Sequence, residues 1–157
     1  MTSMTTCLWF DDQAEAAAAL YVDVFGGSIT NVSRYGDGGP DNAGTVLTVD
    51  LELAGRTFTL LNGGPAHYGF TEAVSVQVHC DSQEQADGYW ERLTADGGEE
   101  SRCGWLKDPY GFSWQIIPAG FDAALGDPDP ERSRRAMQAM MTMNRLDVAA
   151  MRAAADG

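Results

Sequence analysis

His79 lies near the end of the alternating run AVSVQVHC, and histidine is the residue type best suited to general acid or base work near neutral pH. The competing reading is a hydrogen-bonded structural histidine. Cys103 precedes Gly104-Trp105 near Lys107, and a neighbouring ammonium lowers a thiol pKa. Yet Cys7, Cys80 and Cys103 are odd in number and widely spaced, without CxxC or the paired Cys and His spacing of a zinc site, so free thiols are expected. Trp105 and Trp114 read first as packing anchors, with stacking on a ligand as the second use. Asn62-Gly63-Gly64-Pro65 reads as a turn whose amides could reach a ligand, and Asp108 opens a Pro-Tyr-Gly turn. Asp11 is a possible partner for His79, although capping a helix explains Asp11 and Asp12 more simply.

The elements that must position these residues follow from period and punctuation. TTCLWF (5 to 10) alternates like a half-buried strand, and a helix follows to Gly26-Gly27, with Asp12 as its expected N-cap and Glu15 three residues on. Residues 28 to 35 and 45 to 53 read as strands flanking the loop GDGGPDNAG, with 56 to 61 as a hairpin partner after Gly55. The order then repeats: a strand at 73 to 80, a helix at 82 to 95 with Tyr89, Trp90 and Leu93 on one face, short strands at 99 to 102 and 104 to 107, and a last strand FSWQII. Two β-α-β-β-β modules are expected, at about 4 to 64 and 72 to 118. The first has about fourteen extra residues, assigned to Gly36 to Gly44. A helical extension, 119 to 157, has Asp129-Pro130-Glu131 as one helix start and Asp147 as another, with Met137, Met140 and Met141 at packing spacing.

Composition bounds the rest. A chain of 157 residues with 44% hydrophobic content supports one sizeable core, so a single domain is expected. Ten basic against 23 acidic residues give a net charge of −13, which repels nucleic-acid phosphates and anionic bilayers. The densest cationic group, Arg132, Arg134 and Arg135, lies among Asp127, Asp129 and Glu131 and reads as a neutralised helix start. With no apolar run of about 20 residues and no basic leader followed by an apolar stretch, a cytoplasmic protein with neither nucleic-acid nor membrane partners is expected.

Paired β-α-β-β-β modules are the plan of the vicinal oxygen chelate superfamily of glyoxalase I, extradiol dioxygenases, and the bleomycin and fosfomycin resistance proteins. LWFDDQAEAAAALYVDVFGG, TFTLLNGGP, FTEAVSVQVHCDSQEQADGYWERL, CGWLKDPYGFSWQIIP and AMQAMMTMNRLDVAAM resemble its PhnB-like branch, often labelled 3-demethylubiquinone-9 3-methyltransferase. The resemblance implies an α+β fold in which the two modules form a curled mixed sheet around a cavity, with C-terminal helices added, and it implies a homodimer.

Superfamily enzymes hold a divalent metal with His, Glu or Gln from four strands, and those positions fall on Thr5, Thr59, Ser75 and Gln115. Three hydroxyls and one amide are a poor donor set, so no metal and no cofactor are expected. With Thr5 and Ser75 pointing inward, strand parity adds Cys7, Trp9, Thr57, Gln77, His79 and Ser113 to the cavity, with Asn62 and Trp105 at its edge. Leu8, Phe10, Val74, Val76 and Val78 are expected to pack against the helices on the outer face. The expectation is therefore metal-free binding of a small polar or aromatic molecule. The alternatives are a metal-independent enzyme using His79, with Gln77 and Gln115 donating to a carbonyl-type oxygen, and the methyltransferase of the family label. A methyl-donor site usually needs a glycine-rich turn between strand and helix, and here the Gly pairs end helices.

Overall fold

The computed structural model describes residues 2–36 and 43–157, which form two compact units, 1–69 and 70–157. Each is an α+β module around a four-stranded mixed sheet; the described strands close no barrel.

In the first unit the order is β1 (Thr6–Phe10), α1 (Ala14–Phe25), β2 (Ser28–Arg34), β3 (Val46–Leu53) and β4 (Arg56–Asn62), with sheet order β1-β4-β3-β2. β1 runs parallel to β4, and the other pairs are antiparallel. The parity of β1 is as the alternation requires: Leu8 and Phe10 are buried, while Cys7 and Trp9 are exposed. Val49, Leu51, Leu53, Phe58 and Leu60 complete that buried face, and Ala14, Ala17, Ala18, Tyr21 and Val24 of α1 form a complementary apolar stripe. β2 is an exposed edge strand with two register irregularities, which blunts the edge against further pairing. Of the insertion expected at Gly36 to Gly44, residues 37–42 lie outside the described residues; beside them, the Gly44 amide donates to the Tyr35 carbonyl at 2.9 Å.

Asp12 does not cap α1. The N-cap is Gln13, which makes no side-chain cap bond. Instead Asn62, at the end of β4, accepts from the Ala14 amide at 2.8 Å and donates to the Val46 carbonyl at 3.1 Å. A buried amide, far away in sequence, does the capping because its second hydrogen bond ties the helix start to β3 at the same time.

The second unit runs β5 (Ser75–His79), α2 (Gln83–Thr94), β6 (Glu99–Glu100), β7 (Trp105–Lys107), β8 (Ser113–Ile117), α3 (Phe121–Leu125), α4 (Pro130–Met140) and α5 (Val148–Asp156), with sheet order β5-β8-β7-β6. Ser82, Asp129 and Asp147 cap α2, α4 and α5 with their side chains. Val76 and Val78 are partly buried, but Val74 precedes the strand and is exposed, which corrects its expected packing. On α2, Ala86, Trp90 and Leu93 are buried and Tyr89 only partly so.

The extension is part of this unit. Ala124, Met140, Leu146 and Met151 form a cluster against which Cys103 and Met143 pack. Gln83 at the start of α2 donates to the Leu146 carbonyl and accepts from the Val148 amide. Of the three methionines expected to pack, only Met140 is buried; Met137 and Met141 are 42% and 55% exposed. The arginine group is neutralised as expected, Arg132 pairing with Asp127 at 2.9 Å and Arg134 with Glu131 at 2.7 Å. No described helix is long and apolar enough to cross a membrane.

Candidate functional site

Each sheet packs one face on its helix and leaves the other face polar; most of the candidate residues fall on the polar faces, while Asn62 and Trp114 lie on the packed faces. In the second unit, register places Ser75 opposite Ser113 and Gln77 opposite Gln115. The Gln115 amide donates to Ser75 Oγ at 2.8 Å, and the Gln77 amide donates to Gln115 Oε1 at 3.1 Å. This chain of one hydroxyl and two amides leaves the Ser75 proton, one N–H of each glutamine and the Gln77 carbonyl oxygen for a ligand. His79 lies two residues beyond Gln77 on the same strand face, exposed and with no hydrogen-bond partner among the described residues. Neither a structural bond nor an orienting carboxylate holds it.

Trp105 pairs with Gln115 across the strands and is half-buried. Trp114 faces the core, with its indole N–H donating to Asp108 Oδ2 at 2.8 Å. Asp108 is 1% exposed, and its Oδ1 also accepts the amides of Tyr110 and Phe112. The turn expected at Asp108 is therefore built on its carboxylate. Lys107 is engaged by Glu72 at 2.6 Å, and Cys103 faces the extension, its thiol donating to the Met140 carbonyl at 3.7 Å. The pairing of these two needed for an activated thiol is not made.

In the first unit the polar face is cross-linked more tightly. Thr5 and Thr57 share a hydrogen bond of 3.1 Å between hydroxyls, and Thr59 donates to Asp50 Oδ1 at 2.6 Å. Asn31 donates to the other oxygen of Asp50 at 3.1 Å. Partial desolvation first, and the Asp50 carboxylate second, push the pKa of the Cys7 thiol up although the residue is largely exposed, so Cys7 stays a neutral thiol rather than a thiolate. Sequence reasoning missed Asp50. Its signal was the polar phase of TVLTVDLEL, opposite Val49, Leu51 and Leu53.

Trp9 offers a partial surface only. The residue is 38% exposed, its indole N–H donates to the Gly64 carbonyl at 2.9 Å, and Tyr68 meets the ring edge-on at 5.9 Å between ring centres. Gly63 is required beneath it, because a Cβ there would lie 2.1 Å from the indole. The GlyGly turn thus seats Trp9. Asn62 is buried and its side chain is used in tying α1 to β3, with its carbonyl accepting the Tyr35 hydroxyl at 2.7 Å.

The donor set does not fit a divalent metal. Thr5, Thr59, Ser75 and Gln115 carry no charge, the Thr59 proton is given to Asp50, and no described group of three or more His, Cys, Asp or Glu could hold an ion.

Two mixed sheets built as β-α-β-β-β modules define the glyoxalase/bleomycin resistance class of fold, that of the vicinal oxygen chelate superfamily. Within it the chain belongs to the PhnB-like family: residues 2–117 match the family described as 3-demethylubiquinone-9 3-methyltransferase. A PhnB protein from Bacillus cereus is 31% identical over 74% of this chain and 98% of its own, with a TM-score of 0.68. Protein PA1353 from Pseudomonas aeruginosa is 19% identical over 73% of this chain and 95% of its own, with a TM-score of 0.61. The fosfomycin resistance protein FosX from Listeria monocytogenes is 17% identical over 78% of this chain and 94% of its own, with a TM-score of 0.54. The last two likenesses are of fold. No curated protein matches the chain.

Proposed function

We propose that this PhnB-like chain binds a small polar or aromatic molecule without a metal, on the open polar faces of its sheets. The observation that carries the reading is the Ser75-Gln115-Gln77 hydrogen-bonded chain, which presents oriented amide and hydroxyl groups to a carbonyl-type oxygen where a metal enzyme would need charged ligands. Trp9 and Trp105 supply aromatic surface on the two modules. A homodimer in the cytoplasm belongs to the same proposal.

The test uses benzamide as an aromatic carbonyl probe, followed by isotope-edited NMR on the full chain. Saturable shifts at the side-chain amides of Gln77 and Gln115, reduced about tenfold in affinity by Gln115→Leu and by Gln77→Leu, are expected. Near-stoichiometric Mn or Zn retained after desalting would overturn the metal-free reading, and benzamide shifts that ignore both variants would overturn the site. Sedimentation at micromolar concentration checks the dimer.

A metal-independent enzyme is the second reading, favoured by His79 standing exposed on the same strand face as Ser75 and Gln77. For a substrate found by screening, His79→Ala would then lower turnover well beyond any loss in affinity. Methyl transfer has less support. The strand-to-helix turns before α1 and α2, Asp11-Asp12-Gln13 and Cys80-Asp81-Ser82, contain no glycine, and the turn before α3 has only Gly120 ahead of a five-residue helix, so none is a glycine-rich cradle for a nucleotide methyl donor.

A further inference from the structure

The second unit contains a pocket of about 150 Å³ near the β6 edge of its sheet, lined in part by Glu72, Glu99, Glu100, Trp105, Lys107 and Ser113. One hydrogen bond in its wall is unmet. Ser113 is 1% exposed, and its Oγ is buried with no hydrogen-bond partner among the described residues, whereas Ser75 beside it on β5 accepts from Gln115. A buried hydroxyl left alone costs free energy that a ligand carrying a donor would recover.

Register fixes what stands around that hydroxyl. Ser113 pairs with Lys107, Gln115 pairs with Trp105, and Glu99 pairs with Lys107 from the other side, so the hydroxyl, the indole, the ammonium and the Glu99 carboxylate share one face of the sheet. Lys107 is the single lysine of the chain. Glu72 holds it as an ammonium at 2.6 Å, which removes it as an amine nucleophile and as a free anchor for an anion. On this face two carboxylates, Glu72 and Glu99, stand against the one ammonium, since Glu100 pairs with Leu106 and its carboxylate accepts from Trp90 and Asn144 on the other face. That balance repels anionic ligands and favours cations.

We infer that this pocket takes a small ammonium-bearing molecule, whose N–H donates to Ser113 Oγ while Glu99, the carboxylate left over once Glu72 holds Lys107, offsets its charge and Trp105 forms an aromatic wall. The inference rests on the reading of the polar face as a ligand surface and names the ligand class for its outer part.

The experiment is a titration of the labelled full chain with ethanolamine, ethylene glycol and glycolate at constant ionic strength, read at the Trp105 indole and the Ser113 amide. Ethanolamine should give saturable shifts with an affinity at least tenfold above ethylene glycol, and glycolate should give none. Ser113→Ala should weaken ethanolamine about five- to tenfold with an unchanged or higher Tm, since the substitution removes an unmet polar group and no existing bond. Glu99→Gln should weaken it as well. No saturable ethanolamine shift, tighter binding of glycolate, or equal affinity in Ser113→Ala would overturn the inference. If benzamide still binds through Gln115 in that event, only the ammonium pocket has failed; if benzamide also fails, the polar face is not a ligand surface.

Discussion

Asp108 shows what a single buried group can decide. Its carboxylate accepts two amides and the Trp114 indole while 1% exposed, so truncation strands two buried donors and a partly buried one. Asp108→Ala should cost about 4 kcal/mol and Asp108→Asn about 2 kcal/mol, because the amide keeps one acceptor oxygen but turns a donor toward the indole. Urea unfolding of both variants checks this, and a loss below about 1 kcal/mol in Asp108→Ala would contradict it. Cys80 is a second case: burial pushes its thiol up to about 11. A raised folded value means the protonated thiol supports the fold fully below the ordinary thiol range, and that support is lost as pH rises through about 11. Alkylation at pH 8 should therefore modify exposed Cys7 well before buried Cys80, as mass spectrometry of partially labelled protein would show. The turn at Asp108 was legible because Asp-Pro-Tyr-Gly has one good local solution. Asp50 was not, because its partners Thr59 and Asn31 come from other strands and only strand register brings them together.

At the scale of elements, helix starts divide by where their caps come from. Ser82, Asp129 and Asp147 each sit beside the amides they accept from, and at Asp129 and Asp147 local rules alone identify them. The start of α1 depends on Asn62, 48 residues from Ala14, and no local rule reaches that far. Asn62→Ala should destabilise by about 2 kcal/mol, since it strips a cap and leaves the Val46 carbonyl without its donor. Asp12→Ala should change stability by less than about 0.5 kcal/mol. Thermal unfolding of the pair is decisive: equal losses would mean that Asp12 caps the helix after all. The faces of β1 were legible for the same reason that the cap was not. Alternation in TTCLWF is a property of neighbours, and the resulting faces placed Leu8 and Phe10 inside and Cys7 and Trp9 outside without knowledge of any distant partner.

For the whole chain the controlling quantity is charge. Ten basic against 23 acidic residues leave a net of −13, while the ion pairs are largely exposed: Arg34 with Glu15, Arg134 with Glu131, and Arg145 with Asp87 and Glu91. Exposed pairs of this kind contribute about 0 to 1 kcal/mol each and are screened together with the repulsion. Raising NaCl from about 10 mM to about 300 mM shortens the screening length from about 30 Å to about 6 Å. Repulsion summed over the excess carboxylates extends across that whole range, whereas a paired guanidinium and carboxylate interact at close range and lose less. Screening should therefore remove more repulsion than attraction, and Tm at pH 7 should rise by a few degrees over this interval. A Tm that falls with salt would mean that the ion pairs, Arg132 with Asp127 and Asp156 foremost, contribute more than exposed pairs usually do. Because sodium is itself a cation, the same series with tetramethylammonium chloride separates the two effects of salt. Equal rises in Tm assign the stabilisation to screening, and a larger rise with sodium assigns part of it to cations held by the carboxylates.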